Sequence, residues 1–400
     1  MRYYAYMLAA GAFGVAKVGV YALVLGPAAF GELTFALLIA TFLVFGVSRG
    51  LIEGMALRLP ALYGAGQPAL ARALGRAGVA ACVLPTAATA VIVGALALFG
   101  PGALIAVLAA LLAGSTCMLS ILLTDSRSRG DMTAFGVASL QRVAAGLILG
   151  LGGAAFAGAA GALVGEIAGQ FLIGAWLLCL LRRAQASSDS AHSLVPEVRA
   201  QGRGLMLHQL SLVAQQNLER YFVIAAFGSA GLGQYSFAAL AISVAALVHG
   251  AIYQHVGPEA LRRQAQGVDL SVSLQHSGRV ALWTSLTFAA AGCMVAFAAA
   301  ELPSAMLAQY REGLTIMPIL VVAAAFQVAQ VFDWIVAASG RSGALARSTV
   351  ATTLAQALFA AIGVWQSQPL WYFALIAAAG RAAVLLATLM LAYSAVRGSR

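Results

Sequence analysis

Runs of about twenty apolar residues recur along the whole chain, and no other feature limits its fold as strongly. A helix rising 1.5 Å per residue needs roughly twenty such residues to cross the ~30 Å hydrocarbon core of a bilayer. The runs lie at 3–25, 33–48, 77–99, 102–124, 133–153, 156–181, 205–226, 231–256, 280–302, 314–338, 348–364 and 370–396. In lipid every backbone polar group must be satisfied within its own segment, so the runs read as helices. The stretches between them are too short to fold as a separate aqueous domain. Only 9% of the residues are charged, which is far too few to cover a soluble core of this size. The expected class is an all-α integral membrane protein of about twelve transmembrane helices.

Arginine placement fixes the orientation. With both termini cytoplasmic, the inside segments hold Arg2, Arg49, Arg58, Arg72, Arg76, Arg127, Arg129, Arg182, Arg183, Arg199, Arg203, Arg262, Arg263, Arg279, Arg341, Arg347, Arg397 and Arg400. The outside segments hold only Arg311. That asymmetry is the positive-inside pattern, and it depends on the span count. The net charge of +10 is thus mostly a topology signal. No basic stripe with interleaved aromatics suits a nucleic acid.

The longest polar stretch, 182–204, divides the chain into a first six-helix bundle (1–181) and a second (205–400), and reads as a cytoplasmic linker. Residues 49–76 read as an amphipathic helical extension with a turn at Tyr63–Pro68. The two halves align at an offset of 202 residues: Gly26, Gly31, Phe35 and Ala36 fall on Gly228, Gly233, Phe237 and Ala238, and Lys17 falls on Glu219. Six spans is an even number, so both halves share one orientation. The bundles would then be related by a pseudo-twofold axis along the membrane normal, with a substrate path at the repeat interface.

Ionisable groups inside spans are the informative ones, because a charge in lipid is expensive. They are Lys17, Arg142, Glu166, Glu219, Arg220, Asp333 and Arg381, four cations and three anions. The competing reading of each is a structural ion pair between helices. The 205–226 span is the most polar, with Gln209, Gln216 and Arg220 on one face. An excess of cations at mid-membrane suits an anionic head group such as a pyrophosphate, with Lys17 and Arg220 as first candidates and Arg142, Arg381, Gln216 and Glu219 beside them. Asp333 or Glu219 is placed to bind a coupling proton or Na⁺. Gly161, Gly165 and Gly169 form a small-residue ladder around Glu166, the pattern of close helix packing.

Signatures of catalysis are missing: there is no HExxH, GxSxG or P-loop, so no enzyme activity and no cofactor are expected. Histidine and cysteine spacings suit no metal, and the four cysteines, all in apolar runs, read as buried small hydrophobes. No cleaved signal peptide is expected.

Leu25 to Phe35 reads LGPAAFGELTF, and it resembles the end of the first span in bacterial polysaccharide flippases and exporters (Wzx-like), with Leu33 where that family has an aromatic. Asn217 to Tyr221 (NLERY), Phe227 to Ser236 (FGSAGLGQYS) and Pro258 resemble the family's junction between spans seven and eight. Two departures are Glu219, where the family commonly has Asp, and Lys17, where relatives vary. These proteins belong to the multidrug/oligosaccharidyl-lipid/polysaccharide (MOP) exporter superfamily. The resemblance implies two six-helix bundles around a cationic cavity that works by alternating access. It implies a location in the bacterial cytoplasmic (inner) membrane. It also implies flipping of an undecaprenyl-pyrophosphate-linked oligosaccharide to the periplasmic leaflet, among membrane lipids and other polysaccharide-assembly proteins. Two alternatives stay open. An ion-coupled multidrug antiporter would call for an anionic or aromatic pocket, and a membrane enzyme of glycan assembly would call for a large outside loop.

Overall fold

The computed structural model describes residues 2–97, 102–182, 188–250, 270–301, 305–339 and 341–398. The expected span ends at 98–99, 251–256 and 302, together with Arg183, Pro258, Arg262, Arg263 and Arg400, lie outside them. The described residues are helical and contain no strand. They divide into two compact units, Met1–Leu210 and Ser211–Arg400.

The first unit begins with α1 (Arg2–Ser48), 47 residues long. A straight helix of that length would extend about 70 Å, twice the hydrocarbon core. It breaks at Gly26, whose φ of 71° and ψ of 169° leave the helical region. Glycine takes this φ without a Cβ clash, and Pro27 pushes the residue before it away from helical ψ. The arms fold back: Lys17 on the first and Leu37, Ala40 and Thr41 on the second line one cavity.

α5 (Met132–Arg182) repeats the device at Gly158, with φ 58° and ψ −138°. Its arms pack backbone on backbone. A methyl at Gly161 would run into the Gly153 carbonyl, one at Gly165 into the Leu149 carbonyl, and one at Gly169 would lie 2.9 Å from the Gly146 nitrogen. The glycine ladder of the sequence is therefore the seam of an antiparallel hairpin, and α1 and α4 (Ala103–Ser128) pack against it.

The polar extension is α2 (Leu51–Gly64), which turns at Gly66 (φ 71°) into α3 (Pro68–Ala97). Its buried stripe of Leu51, Met55, Leu59 and Leu62 packs on Leu74, Ala77 and Ile121. Tyr63 donates to Asp125 at 2.7 Å, and Arg129 pairs with the same carboxylate at 3.1 Å. Burial and the nearby Asp125 charge push the Tyr63 hydroxyl above its ordinary range, so it remains a donor. Residues 188–204 of the stretch expected as a linker are helical and form the first part of α6 (Ser188–Ala238). Val195 and Val198 join the α2 cluster, and Gly54 lies so close to the Val198 carbonyl that no side chain would fit.

The second unit holds the rest of α6, then α7 (Leu240–Gly250), α8 (Leu270–Glu301), the short α9 (Ala305–Ala308), α10 (Arg311–Val328), α11 (Asp333–Ala338), α12 (Ser342–Trp365) and α13 (Leu370–Gly398). α6 is broken at Gly228, with φ 67° and ψ −166°. Tyr235 beyond the break donates to Glu219 before it at 3.3 Å, whereas sixteen residues of straight helix would separate them by about 24 Å. Gly26 and Gly228, equivalent in the 202-residue repeat, thus share one backbone conformation.

Eight of the described helices are long and apolar enough to cross a membrane, and nine if α6 and α7, bent by 42°, count as one span. The twelve expected from the sequence require α1, α5 and the α6–α7 segment to count twice each. Large apolar side chains face outward, among them Leu84, Phe156 and Trp365, as lipid surroundings demand. The cysteine expectation needs correcting on the same ground. Cys82 and Cys117 are buried with sulfurs 3.1 Å apart, but Cys179 and Cys293 are exposed, because lipid receives a small apolar side chain as readily as a core does.

Candidate functional site

Each unit carries a cluster of ionisable side chains at the level of its long helices. In the first unit Lys17 Nζ lies 2.7 Å from Glu166 Oε1. One turn along α1, Tyr21 donates to the same oxygen at 2.8 Å and reaches the Gly146 carbonyl at 3.0 Å. The second arm of α5 brings Glu166 here because its glycine seam lets the arms approach without side chains between them. Arg142, on the first arm, completes a group of two cations and one anion around a cavity of 210 Å³. Thr41, Thr116 and Gln170 add polar lining, and Gln170 accepts hydrogen bonds from Ser115 and Thr116 at 3.0 Å.

The second unit holds a drier version. Arg381 and Glu219 are both fully buried, with Arg381 Nη1 3.6 Å from Glu219 Oε1. Arg381 also donates from Nη2 to the Gln216 carbonyl at 2.8 Å, from Nη1 to the Ala377 carbonyl at 3.1 Å, and from Nε to Gln327 at 3.4 Å. Glu219 accepts from Tyr235 and Gln356, each at 3.3 Å. Arg220 adjoins this network, and its buried Nε has no hydrogen-bond partner among the described residues. Again there are two cations to one anion.

The structure therefore brings Lys17 and Arg142 together in the first unit, and Gln216, Glu219, Arg220 and Arg381 in the second. All three nitrogens of Arg381 are engaged by protein groups, and Glu219 is held from three sides. Asp333 opens α11 and makes no side-chain hydrogen bond or ion pair among the described residues. Sequence reasoning missed Tyr21, Tyr235 and Gln356, and it counted Glu166 among the ionisable groups, with an interhelical ion pair as one reading, without placing it at the substrate site. A signal existed for Tyr21, which stands four residues after Lys17 and so on the same helix face.

One member of each pair obeys the repeat with its sign exchanged. Lys17 and Glu219 are equivalent positions, one cationic and one anionic. The partner of each comes from its own unit: anionic Glu166 from the second arm of α5 and cationic Arg381 from α13.

No family model matches the sequence, and no curated protein does. Several solved structures are similar to it. One is a MOP superfamily transporter from Pyrococcus furiosus, for which a binding pocket of reverse polarity is taken to suggest a different function. It is 13% identical, with a TM-score of 0.63, over 99% of this chain and 95% of that one. The Vibrio cholerae MATE transporter VcmN in its bent form is 15% identical with a TM-score of 0.60, over 99% and 97%. The eukaryotic MATE transporter AtDTX14 is 16% identical with a TM-score of 0.58, again over 99% and 97%. The described residues share the helical fold of these solved transporters.

Proposed function

We propose that the protein is a twelve-span flippase that carries a pyrophosphate-linked lipid oligosaccharide from the cytoplasmic to the periplasmic leaflet by alternating access, with both termini cytoplasmic. The observation that carries this reading is the charge of the two clusters. Each unit places two cations against one carboxylate, and in the first unit the surplus borders a cavity. A buried charge surplus is expensive, and an anionic ligand would neutralise it. Arginine grips phosphate oxygens with its planar fork, and lysine attracts them as a point charge. Lys17 and Arg142 would receive the pyrophosphate in the first unit, and Arg220, with its unpartnered nitrogen, would do so in the second. The polyprenyl tail would stay in lipid.

A multidrug antiporter is the second reading, favoured by the similarity to MATE transporters. It would require a carboxylate free to hold an organic cation; Glu166 and Glu219 are each already paired with a cation, and Asp333, unpaired among the described residues, is the carboxylate left for that role.

The test is made in a deletion strain, with an impermeant probe that reports which membrane face holds the lipid-linked oligosaccharide. Cytoplasmic accumulation that is reversed by the wild-type protein and not by Arg220→Ala or Lys17→Ala supports flipping through these cations. Accumulation on the periplasmic face points to a later assembly step. No accumulation leaves the antiporter reading. Full activity of both variants sinks the cationic site.

A further inference from the structure

We propose that Glu166 is a built-in competitor of the transported anion: its carboxylate holds Lys17 in the first-unit cavity, and a phosphate group enters by taking its place. This rests on reading that cavity as an anion site.

Three observations support it. First, the ion pair belongs to the cavity wall and not to a sealed core. Lys17 is 18% exposed and Glu166 8% exposed, whereas both members of the Arg381–Glu219 pair are at 0%. Second, the two partners are held unequally. Glu166 is gripped by the Tyr21 hydroxyl, and its Oε2 lies against Gly146, where a methyl would sit 2.6 Å away. Lys17, by contrast, ends a flexible stem and, among the described residues, pairs with Glu166 alone. The mobile element is the ammonium group. Third, a second cation, Arg142, lines the same 210 Å³ space, far more than the ~15 Å³ that one water needs. The other groups facing Glu166 and this space are Tyr21, Thr41, Thr116 and Gln170, all neutral.

An entering phosphate therefore meets one surplus positive charge while Glu166 holds Lys17, and it gains a second cation when Lys17 turns to it. When Lys17 returns to Glu166, the phosphate loses that contact and leaves. The carboxylate thereby lowers affinity and speeds release. Removing it should move binding and turnover in opposite directions, whereas a merely structural loss would weaken both.

The experiment uses the full-length protein in nanodiscs, with inorganic pyrophosphate as the calorimetric probe and thermal melting as the control for folding. Glu166→Gln should bind pyrophosphate at least about tenfold more tightly than wild type, Glu166→Asp should stay near wild type, and Lys17→Ala should lose most of the binding. In cells, Glu166→Gln should flip substrate more slowly despite its tighter site. Glu166→Ala gives the same comparison if the glutamine variant does not fold. If the carboxylate-free variant binds no more tightly while Lys17→Ala and Arg142→Ala abolish binding, Glu166 is no competitor although the cavity is an anion site. If neither wild type nor Glu166→Gln binds pyrophosphate, the anion reading falls, and this inference with it.

Discussion

Arg381→Met isolates the energetic role of the dry pair. Methionine keeps most of the side-chain volume and its flexibility, so little void is added. What changes is the charge. Glu219, fully buried, loses its ion-pair partner and keeps two hydrogen bonds of 3.3 Å, from Tyr235 and Gln356, with Arg220 as the cation that stays nearby. Removing one member of a buried pair costs about 3–5 kcal/mol when the remaining charge is left unmatched, and the Arg220 charge holds the loss here to the low end of that range. The lost contacts to the Gln216 and Ala377 carbonyls add at most about 1 kcal/mol each, since those oxygens belong to helices. Glu219→Gln in the same chain removes the stranded charge while leaving an acceptor for Tyr235. The double variant should therefore lie within roughly 2 kcal/mol of wild type, well short of the sum of the two single losses, and that shortfall is the coupling read in a double-mutant cycle. Reversible unfolding in mixed detergent micelles, followed by circular dichroism, measures all four proteins. If Arg381→Met costs less than about 1 kcal/mol, or the two substitutions simply add, the pair is not the brace its geometry suggests.

Other outcomes follow from the packing. Gly165→Leu places a side chain where the Leu149 carbonyl already lies, so it should split the α5 hairpin and lower the yield of folded protein, with a loss of about 3 kcal/mol or more in the same unfolding assay. Tyr63→Phe removes a 2.7 Å hydrogen bond to the buried Asp125 carboxylate and should cost about 1.5–3 kcal/mol, without effect on pyrophosphate binding by calorimetry. Cysteines introduced at Gln67 and Ser367 probe topology: an impermeant maleimide added to intact cells should label Ser367→Cys and spare Gln67→Cys, and the opposite result would invert the proposed orientation.

The broken helices were largely legible in the sequence, and the charge partners were not. The apolar runs stop at 25 and 226 and resume at 33 and 231, and the backbone breaks inside those gaps, at Gly26 and Gly228. Gly161, Gly165 and Gly169 announced a close helix seam by spacing alone, and the structure supplies the opposite side of that seam in Gly146 and Gly153. Pairing is a different problem. Lys17 and Glu166, like Glu219 and Arg381, come from distant parts of the chain. A membrane helix that is apolar on every side also gives no moment to say which face meets protein and which meets lipid. The repeat brought Lys17 and Glu219 into correspondence, but equivalence is not contact, and each charge finds its partner inside its own unit. The 182–204 stretch shows the same limit. Its Ser- and Gln-rich composition suggested a loose connection, yet Val195 and Val198 at helical spacing bury themselves against α2.

The exchange of signs between the two pairs has a physical consequence. Reversing one member alone would leave two like charges in a low-dielectric setting, which costs more than losing the pair. Opposite polarity at the equivalent positions 17 and 219 therefore requires partners of opposite sign. What each unit keeps in common is the surplus: Lys17 and Arg142 against Glu166, and Arg220 and Arg381 against Glu219. What differs is access. The first pair lines a cavity and is partly exposed, while the second is sealed and saturated with hydrogen bonds. An exchangeable contact must be reachable and incompletely satisfied. By that criterion the proposed exchange belongs to Lys17 and Arg142 in the first unit. In the second unit Arg381 is held on all three nitrogens, and Arg220 is the proposed anion contact.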